Sequence, residues 1–154
     1  IDDPMFHRRR VVRLPDDIYV IEDRVTGICR EDHDIRLYYN FAFGHLDGEN
    51  GKFDYTSQKG RGYTMTVQAD KKLDFEILEG SENPIGGWIS YGYAWRKPIP
   101  QLIAKHSGKA PIHFITVLAP EGSKAETAIN GDAAMVTLAG GKVLTLTENA
   151  VELH

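Results

Sequence analysis

Trp88, Tyr91, Tyr93 and Trp95 fall within eight residues of one another and run directly into Arg96 and Lys97. Aromatic rings stack on the apolar faces of sugars, and cations pair with carboxylate or sulfate. Trp88, Tyr91, Tyr93, Trp95 and Arg96 are therefore the candidate contacts for an acidic saccharide. The neighbouring Gly86, Gly87 and Gly92 also suit aromatics that fill a sandwich rim or a domain interface. A second group opens the chain, in "HRRRVVRLPDDIYVIEDRVTG", His7 to Gly27. In an extended strand Arg8, Arg10 and Val12 alternate with Arg9, Val11 and Arg13, so the cations leave from both faces. An anion patch needs convergence. Past the "LPDD" turn, Ile18, Val20 and Glu22 alternate with Tyr19, Ile21 and Asp23, which sets acids across from arginines. Cross-strand ion pairing is the expectation for this stretch.

Other chemistries find less. His7, His33, His45, His106 and His113 are scattered, with no metal-ligand spacing. His33 and Asp34 are adjacent in a strand and point to opposite faces, which disfavours a zinc site shared with His45. No metal and no cofactor is expected. Cys29 lies in "TGICRED" near His33, but nothing in the sequence activates a lone turn thiol. No serine sits in a Gly-x-Ser-x-Gly elbow. "GENGK" and "GGK" lack phosphate-loop spacing and read as turns.

The elements that must position these groups are strands. In "HDIRLYYNFAF", Ile35, Leu37, Tyr39, Phe41 and Phe43 share one face, and Asp34, Arg36, Tyr38 and Asn40 the other. Tyr63, Met65 and Val67 alternate in the same way, as do Leu73, Phe75 and Ile77. These two runs read as a hairpin through "ADKK". "PIHFITVLAP" is apolar on both faces, the pattern of a central strand covered on each side. "AAMVTLAG", "KVLTLTEN" and "AVELH" form a closing meander. Two segments resist strand assignment. Gly44 to Gly62 is polar and glycine-rich, a long loop expected to be mobile or to pack on a partner domain. Glu79 to His106 carries the prolines and the aromatic cluster.

The fold class expected is all-β, an antiparallel two-sheet β-sandwich forming a single domain over residues 1–154. At 154 residues, 42% hydrophobic and 26% charged, the chain can bury a core without staples. A net charge of −4 argues against a general nucleic-acid partner. No apolar run of about eighteen residues is present to span a membrane, and "IDDPMF" does not read as a secretory signal. The chain opens without Met and runs straight into a strand pattern, as an excised piece would.

Three stretches, "HRRRVVRLPDDIYVIEDRVTG", "HDIRLYYNFAFG" and "GGWISYGYAWRKPIPQLIAKHSGKAPIHFITVLAPEG", resemble in that order the C-terminal β-sheet domain of heparinase II/III-like polysaccharide lyases. The resemblance implies a β-sandwich that works with an N-terminal α/α toroid on uronic-acid-containing polysaccharide, including glycosaminoglycan, by β-elimination. It also implies a secreted or periplasmic location. The family's catalytic Tyr, His and Asn lie in the toroid and in upstream sandwich that have no counterpart here. The expectation is a non-catalytic domain that helps bind an acidic polysaccharide, with an autonomous carbohydrate-binding module as the alternative.

Overall fold

The computed structural model describes residues 3–28 and 30–154, so Cys29 lies outside the described residues. Strand alternation dominates, as the sequence predicts. The strands in chain order are β1 (Met5–Arg13), β2 (Tyr19–Gly27), β3 (His33–Asn40), β4 (Gly44–Glu49), β5 (Lys52–Ser57) and β6 (Gly62–Ala69). Next come β7 (Asp74–Glu79), β8 (Ser81–Glu82), β9 (Ile85–Gly86), β10 (Trp88–Gly92) and β11 (Trp95–Pro98). The last six are β12 (Pro100–Gly108), β13 (Ile112–Pro120), β14 (Ala125–Asn130), β15 (Ala133–Leu138), β16 (Val143–Leu146) and β17 (Val151–Leu153). A 3-10 turn, Pro15–Asp17, joins β1 to β2.

A six-stranded sheet, β1-β2-β13-β6-β5-β4, is the centre of the molecule. One face meets the three-stranded sheet β3-β12-β7 across a core that includes Leu37, Phe53, Met65, Leu102 and Phe114. These two sheets are the sandwich that the sequence predicts. The closing meander, β14-β15-β16-β17, adds a third layer on the opposite face, where Val136, Leu144 and Leu146 pack on Val20, Ile115 and Val117. β13 explains its unbroken apolar run by serving both cores. Ile112 and Phe114 point to one, Ile115 and Val117 to the other.

Three expectations need correction. The Gly44 to Gly62 segment is not a loop but the hairpin β4–β5 with the start of β6, and Leu46, Phe53 and Tyr55 are buried in the core. Its turn is Asn50-Gly51, with φ of 53° and 81°, the left-handed pair that a two-residue hairpin of this type requires. A Cβ on Gly51 would stand 2.5 Å from the Val67 carbonyl oxygen, and the Val67 N–H donates to the Gly51 carbonyl at 2.7 Å. Gly51→Ala is therefore expected to lower stability by about 1–3 kcal/mol in urea unfolding.

β6 and β7 are not a hairpin. β6 pairs with β5 and β13, whereas β7 pairs with β12, so "ADKK" carries the chain from one sheet to the other. Alternation shows that each run is a strand but says nothing of its neighbour. Finally, the Glu79 to His106 segment contains β12, the centre of the three-stranded sheet, with Leu102 and Ala104 fully buried. Of its three prolines, Pro84 lies in the turn between β8 and β9, and Pro98 and Pro100 stand at strand ends, where a missing N–H costs little.

Candidate functional site

The opening arginines build the sheet. β1 lies antiparallel to β2 with Arg9 opposite Asp23 and Arg10 opposite Glu22. Asp23 is 0% exposed and accepts from His7 Nε2 at 2.6 Å and from Arg9 Nε and Nη2 at 2.7 and 3.1 Å. Glu22, 1% exposed, faces the meander layer and accepts from Arg10 Nε at 2.5 Å, Arg24 Nε at 2.9 Å and His113 Nε2 at 2.8 Å. Burial alone would raise the Glu22 pKa. The hydrogen bonds from His113, Arg10 and Arg24 outweigh it and hold the carboxyl at about 2. The same guanidiniums reach across layers, Arg10 to the Thr147 and Ala150 carbonyls and Arg24 to the Asp132 carbonyl at 2.5 Å. Glu22 thus anchors two cations that fasten the turns of the meander to the central sheet.

The meander covers only part of that face. Beside its turns, a cleft of about 460 Å³ opens over the first residues of β1, the end of β2 and the start of β13. Arg8, Arg24 and His113 line it from the sheet, Phe6 stands at its rim, and Asp132 and Glu148 stand on the turns that wall it. Arg8 lies directly opposite Arg24 and, among the described residues, has no ion-pair partner. Like charges set opposite one another across a strand pair repel. His113 is 6% exposed, and its Nδ1 is buried without a hydrogen-bond partner among the described residues, a cost of about 1–3 kcal/mol for such a group.

The aromatic cluster sits elsewhere. β10 and β11 form a two-stranded hairpin whose turn includes Tyr93 and Ala94. Its root is closed by the Gly87 carbonyl, which accepts from the Gly80 and Ile99 N–H groups at 2.9 Å each. Tyr91 is 73% and Tyr93 102% exposed, and neither belongs to a core cluster. Tyr91 and Trp95 stand 5.4 Å apart, tilted by 34°, with Lys97 Nζ 5.4 Å from the Trp95 ring. Trp88 and Arg96 are turned to structural use. The Trp88 indole N–H donates to the Ser81 carbonyl at 2.9 Å, and Arg96 lies 4.2 Å over the Trp88 ring with Nη2 2.6 Å from Glu82. The structure thus brings Tyr91 and Trp95 together on an open surface, leaves Tyr93 in solvent at the turn beside them, and ties Trp88 and Arg96 into the hairpin's base.

His33 is in the three-stranded sheet and His45 in the central one, with His33 Nε2 3.2 Å from Asp3. Among the described residues no group of three or more His, Cys, Asp or Glu side chains is arranged to hold a metal ion.

No family model and no curated protein matches the sequence. Solved structures do share the architecture. A heparinase III gene product with methylated lysines aligns at a TM-score of 0.71 and 17% identity, over 92% of this chain and 23% of its own. This is the fold of a heparinase III segment. Heparan sulfate lyase HepC from Pedobacter heparinus aligns at 0.68 with 14% identity, over 96% of this chain and 24% of its own. A further heparinase III structure gives 0.64 and 14%, with 96% and 23% covered. The chain therefore spans 23–24% of the length of these heparinase-type proteins.

Sequence reasoning found the ion-paired strands and the aromatic cluster but missed that the cluster is a hairpin, and missed the cleft. Phe6, Arg8, Arg24 and His113 come from three strands, and only the pairing of β1 with β2 and of β2 with β13 sets them side by side. The signal available beforehand was that Arg8, Arg10, Glu22 and Arg24 are all even-numbered positions of alternating strands.

Proposed function

We propose that this chain is the C-terminal β region of a heparinase II/III-like polysaccharide lyase. It supports binding of a uronic-acid-containing polysaccharide, works beside an N-terminal α/α toroid of the parent protein and performs no chemistry alone. The observation that carries this reading is the alignment with heparinase III over 92% of this chain at a TM-score of 0.71. Heparan sulfate, the polymer HepC is named for cleaving, is the first to test.

The chemistry supports a non-catalytic part. β-Elimination takes a proton alpha to a carboxylate, which requires that charge to be neutralised and the enolate-like intermediate to be stabilised by fixed donors. The base must titrate near the working pH. Burial pushes Tyr39 up to about 12 and raises Tyr55 as well, away from that range. Both phenols are also engaged, Tyr39 with Thr116 at 2.8 Å and Tyr55 with the Ala42 and Phe43 carbonyls. Among the histidines, His113 is held by Glu22.

Direct contact with the polymer falls to Tyr91, Tyr93 and Trp95, whose exposed rings can stack on sugars without repacking the core. In an affinity gel containing heparan sulfate the chain is expected to be retarded. Tyr91→Ala and Trp95→Ala should each weaken retention about two- to tenfold, from stacking of about 0.5–1.5 kcal/mol. Thermal unfolding of these variants should stay near that of the parent. No ultraviolet-absorbing unsaturated uronides should form, and their appearance with the chain alone would overturn the non-catalytic part. Absence of retardation on every uronic polymer removes direct binding and leaves a purely supporting domain. The exposure of Tyr91 and Tyr93 also favours a second reading, an autonomous carbohydrate-binding module. That reading requires the isolated chain to hold the polymer as tightly as the whole lyase does.

A further inference from the structure

The cleft beside the meander turns is distinct from the aromatic hairpin, and its polar groups are of two unlike kinds. Arg8 and Arg24 lie opposite each other across β1 and β2 and both line it. Arg24 is partly neutralised by Glu22, whereas Arg8 has no carboxylate partner among the described residues. Two arginines at opposed strand positions in one cleft are stabilised by an anion received between them. His113 lines the same cleft and supplies the opposite polarity. Its Nε2 stands 2.8 Å from the Glu22 carboxylate, which, with a pKa of about 2, is an acceptor only at neutral pH. The Nε2 atom must therefore carry the proton, and in the neutral imidazole Nδ1 is a bare acceptor. That Nδ1 is buried and has no donor among the described residues.

A ligand that satisfies this cleft carries a negative charge for the arginines and a hydroxyl to donate to His113. Phe6, 69% exposed at the rim, adds an apolar face, and Asp132 and Glu148 add carboxylates able to accept further hydroxyls. Inorganic sulfate lacks the hydroxyl donor and the flat apolar side, and neutral sugars lack the charge. A volume of about 460 Å³ suits one or two sugar rings. We propose that this cleft is a second saccharide site, binding an anionic sugar unit with its carboxylate or sulfate between Arg8 and Arg24, a hydroxyl donated to His113 Nδ1, and its apolar face against Phe6. This rests on the polysaccharide reading above and adds to it a separate place where one charged unit of the polymer is held.

The test is nuclear magnetic resonance titration of the chain with glucuronate, glucosamine 6-sulfate, inorganic sulfate and glucose in separate arms. The expected result is saturable movement of Arg8, Arg24 and His113 signals, including the His113 Nδ1 nitrogen resonance, with glucuronate or the sulfated sugar. Whichever of these two binds more tightly identifies the anion. Glucose should leave these signals in place, and Arg8→Ala should weaken binding at least tenfold. Arg8 is exposed and holds no ion pair among the described residues, so unchanged core amide signals will show that this variant is folded. Silence from both charged sugars at millimolar concentration overturns the proposal, as does binding that Arg8→Ala leaves intact. Inorganic sulfate binding as tightly as both charged sugars, with His113 Nδ1 unmoved, overturns it too, since the hydroxyl contact then plays no part. Polymer retardation that depends on Trp95 and Tyr91 while the cleft stays silent would remove this site and leave the polysaccharide reading standing. Cleft signals that move while the polymer is not retarded would keep this site and remove the aromatic hairpin.

Discussion

Replacing Glu22 with Gln is expected to lower the stability of the folded chain by about 3–5 kcal/mol, the usual result of removing one partner from a buried ion pair. Glu22 is 1% exposed and is the shared acceptor for Arg10, Arg24 and His113. The amide keeps the shape but presents a neutral oxygen and an N–H₂ that faces other donors. Two guanidiniums would then lie beside the second core without a counter-charge. Because Arg10 and Arg24 also hold the Thr147, Ala150 and Asp132 carbonyls, the meander layer should loosen first, and hydrogen exchange in β14 to β17 should rise before exchange in β5 and β6. Equilibrium urea unfolding measures the loss. A change under about 0.5 kcal/mol would show that the cluster is no more than a surface-type pairing.

The same carboxyl fixes the acid side of the stability curve. Its folded pKa of about 2 lies below the ordinary value of 4.5, so the unfolded chain binds the proton more readily. The contribution is complete above pH 4.5 and is lost as pH falls toward 2, with stability dropping by about 2–3 kcal/mol over that window. In Glu22→Gln this portion of the acid dependence should be missing.

Phe53→Ala is the second large effect, expected at about 3–5 kcal/mol. Phe53 is 1% exposed, lies in the core between the two facing sheets and meets Phe75 edge-on at 5.3 Å and 62°. Deleting its ring removes a cross-sheet contact and leaves a cavity that strands pinned by β4 and β6 cannot collapse to fill. The effect is informative because Phe53 belongs to the segment whose glycines and polar residues read as a long loop. A loop phenylalanine would cost a few tenths of a kcal/mol to truncate. Chemical denaturation distinguishes these values directly, and limited proteolysis should find the 44–62 stretch as resistant as its neighbours.

That misassignment has a specific cause. Phe53 and Tyr55 alternate with Asp54 and Thr56, and Asn50-Gly51 marks a two-residue turn, so the hairpin signals were in the sequence. Gly44, Gly48, Gly51, Gly60 and Gly62 outweighed them, because glycine density is a signal of loops in general. Here Gly44 and Gly48 are strand residues in close backbone approach, where a Cβ would strike Thr56 and Lys52 carbonyl oxygens. The aromatic hairpin was legible as a cluster but not as an outlying element. Composition puts Trp88 and Tyr93 in one group, whereas folding gives one an anchoring bond to Ser81 and leaves the other in solvent.

The sequence by itself determined the all-β class, the strand character of β1, β2, β3, β6, β7 and β13, the pairing of the opening arginines with Glu22 and Asp23, and the last three strands of the closing meander, β15 to β17, though not β14. These follow from side-chain alternation and from partners a short turn apart, both local properties of the chain. Only the tertiary structure decided that β6 and β7 part company, that β12 joins β3 to β7, that the meander forms a third layer, and that Arg8, Arg24 and His113 share one cleft. A strand's period shows which side chains share a face, while its neighbour is chosen by the burial and hydrogen bonds of the whole assembly. Contacts such as that of Glu22 with His113, 91 positions apart, come into being only when that choice is made.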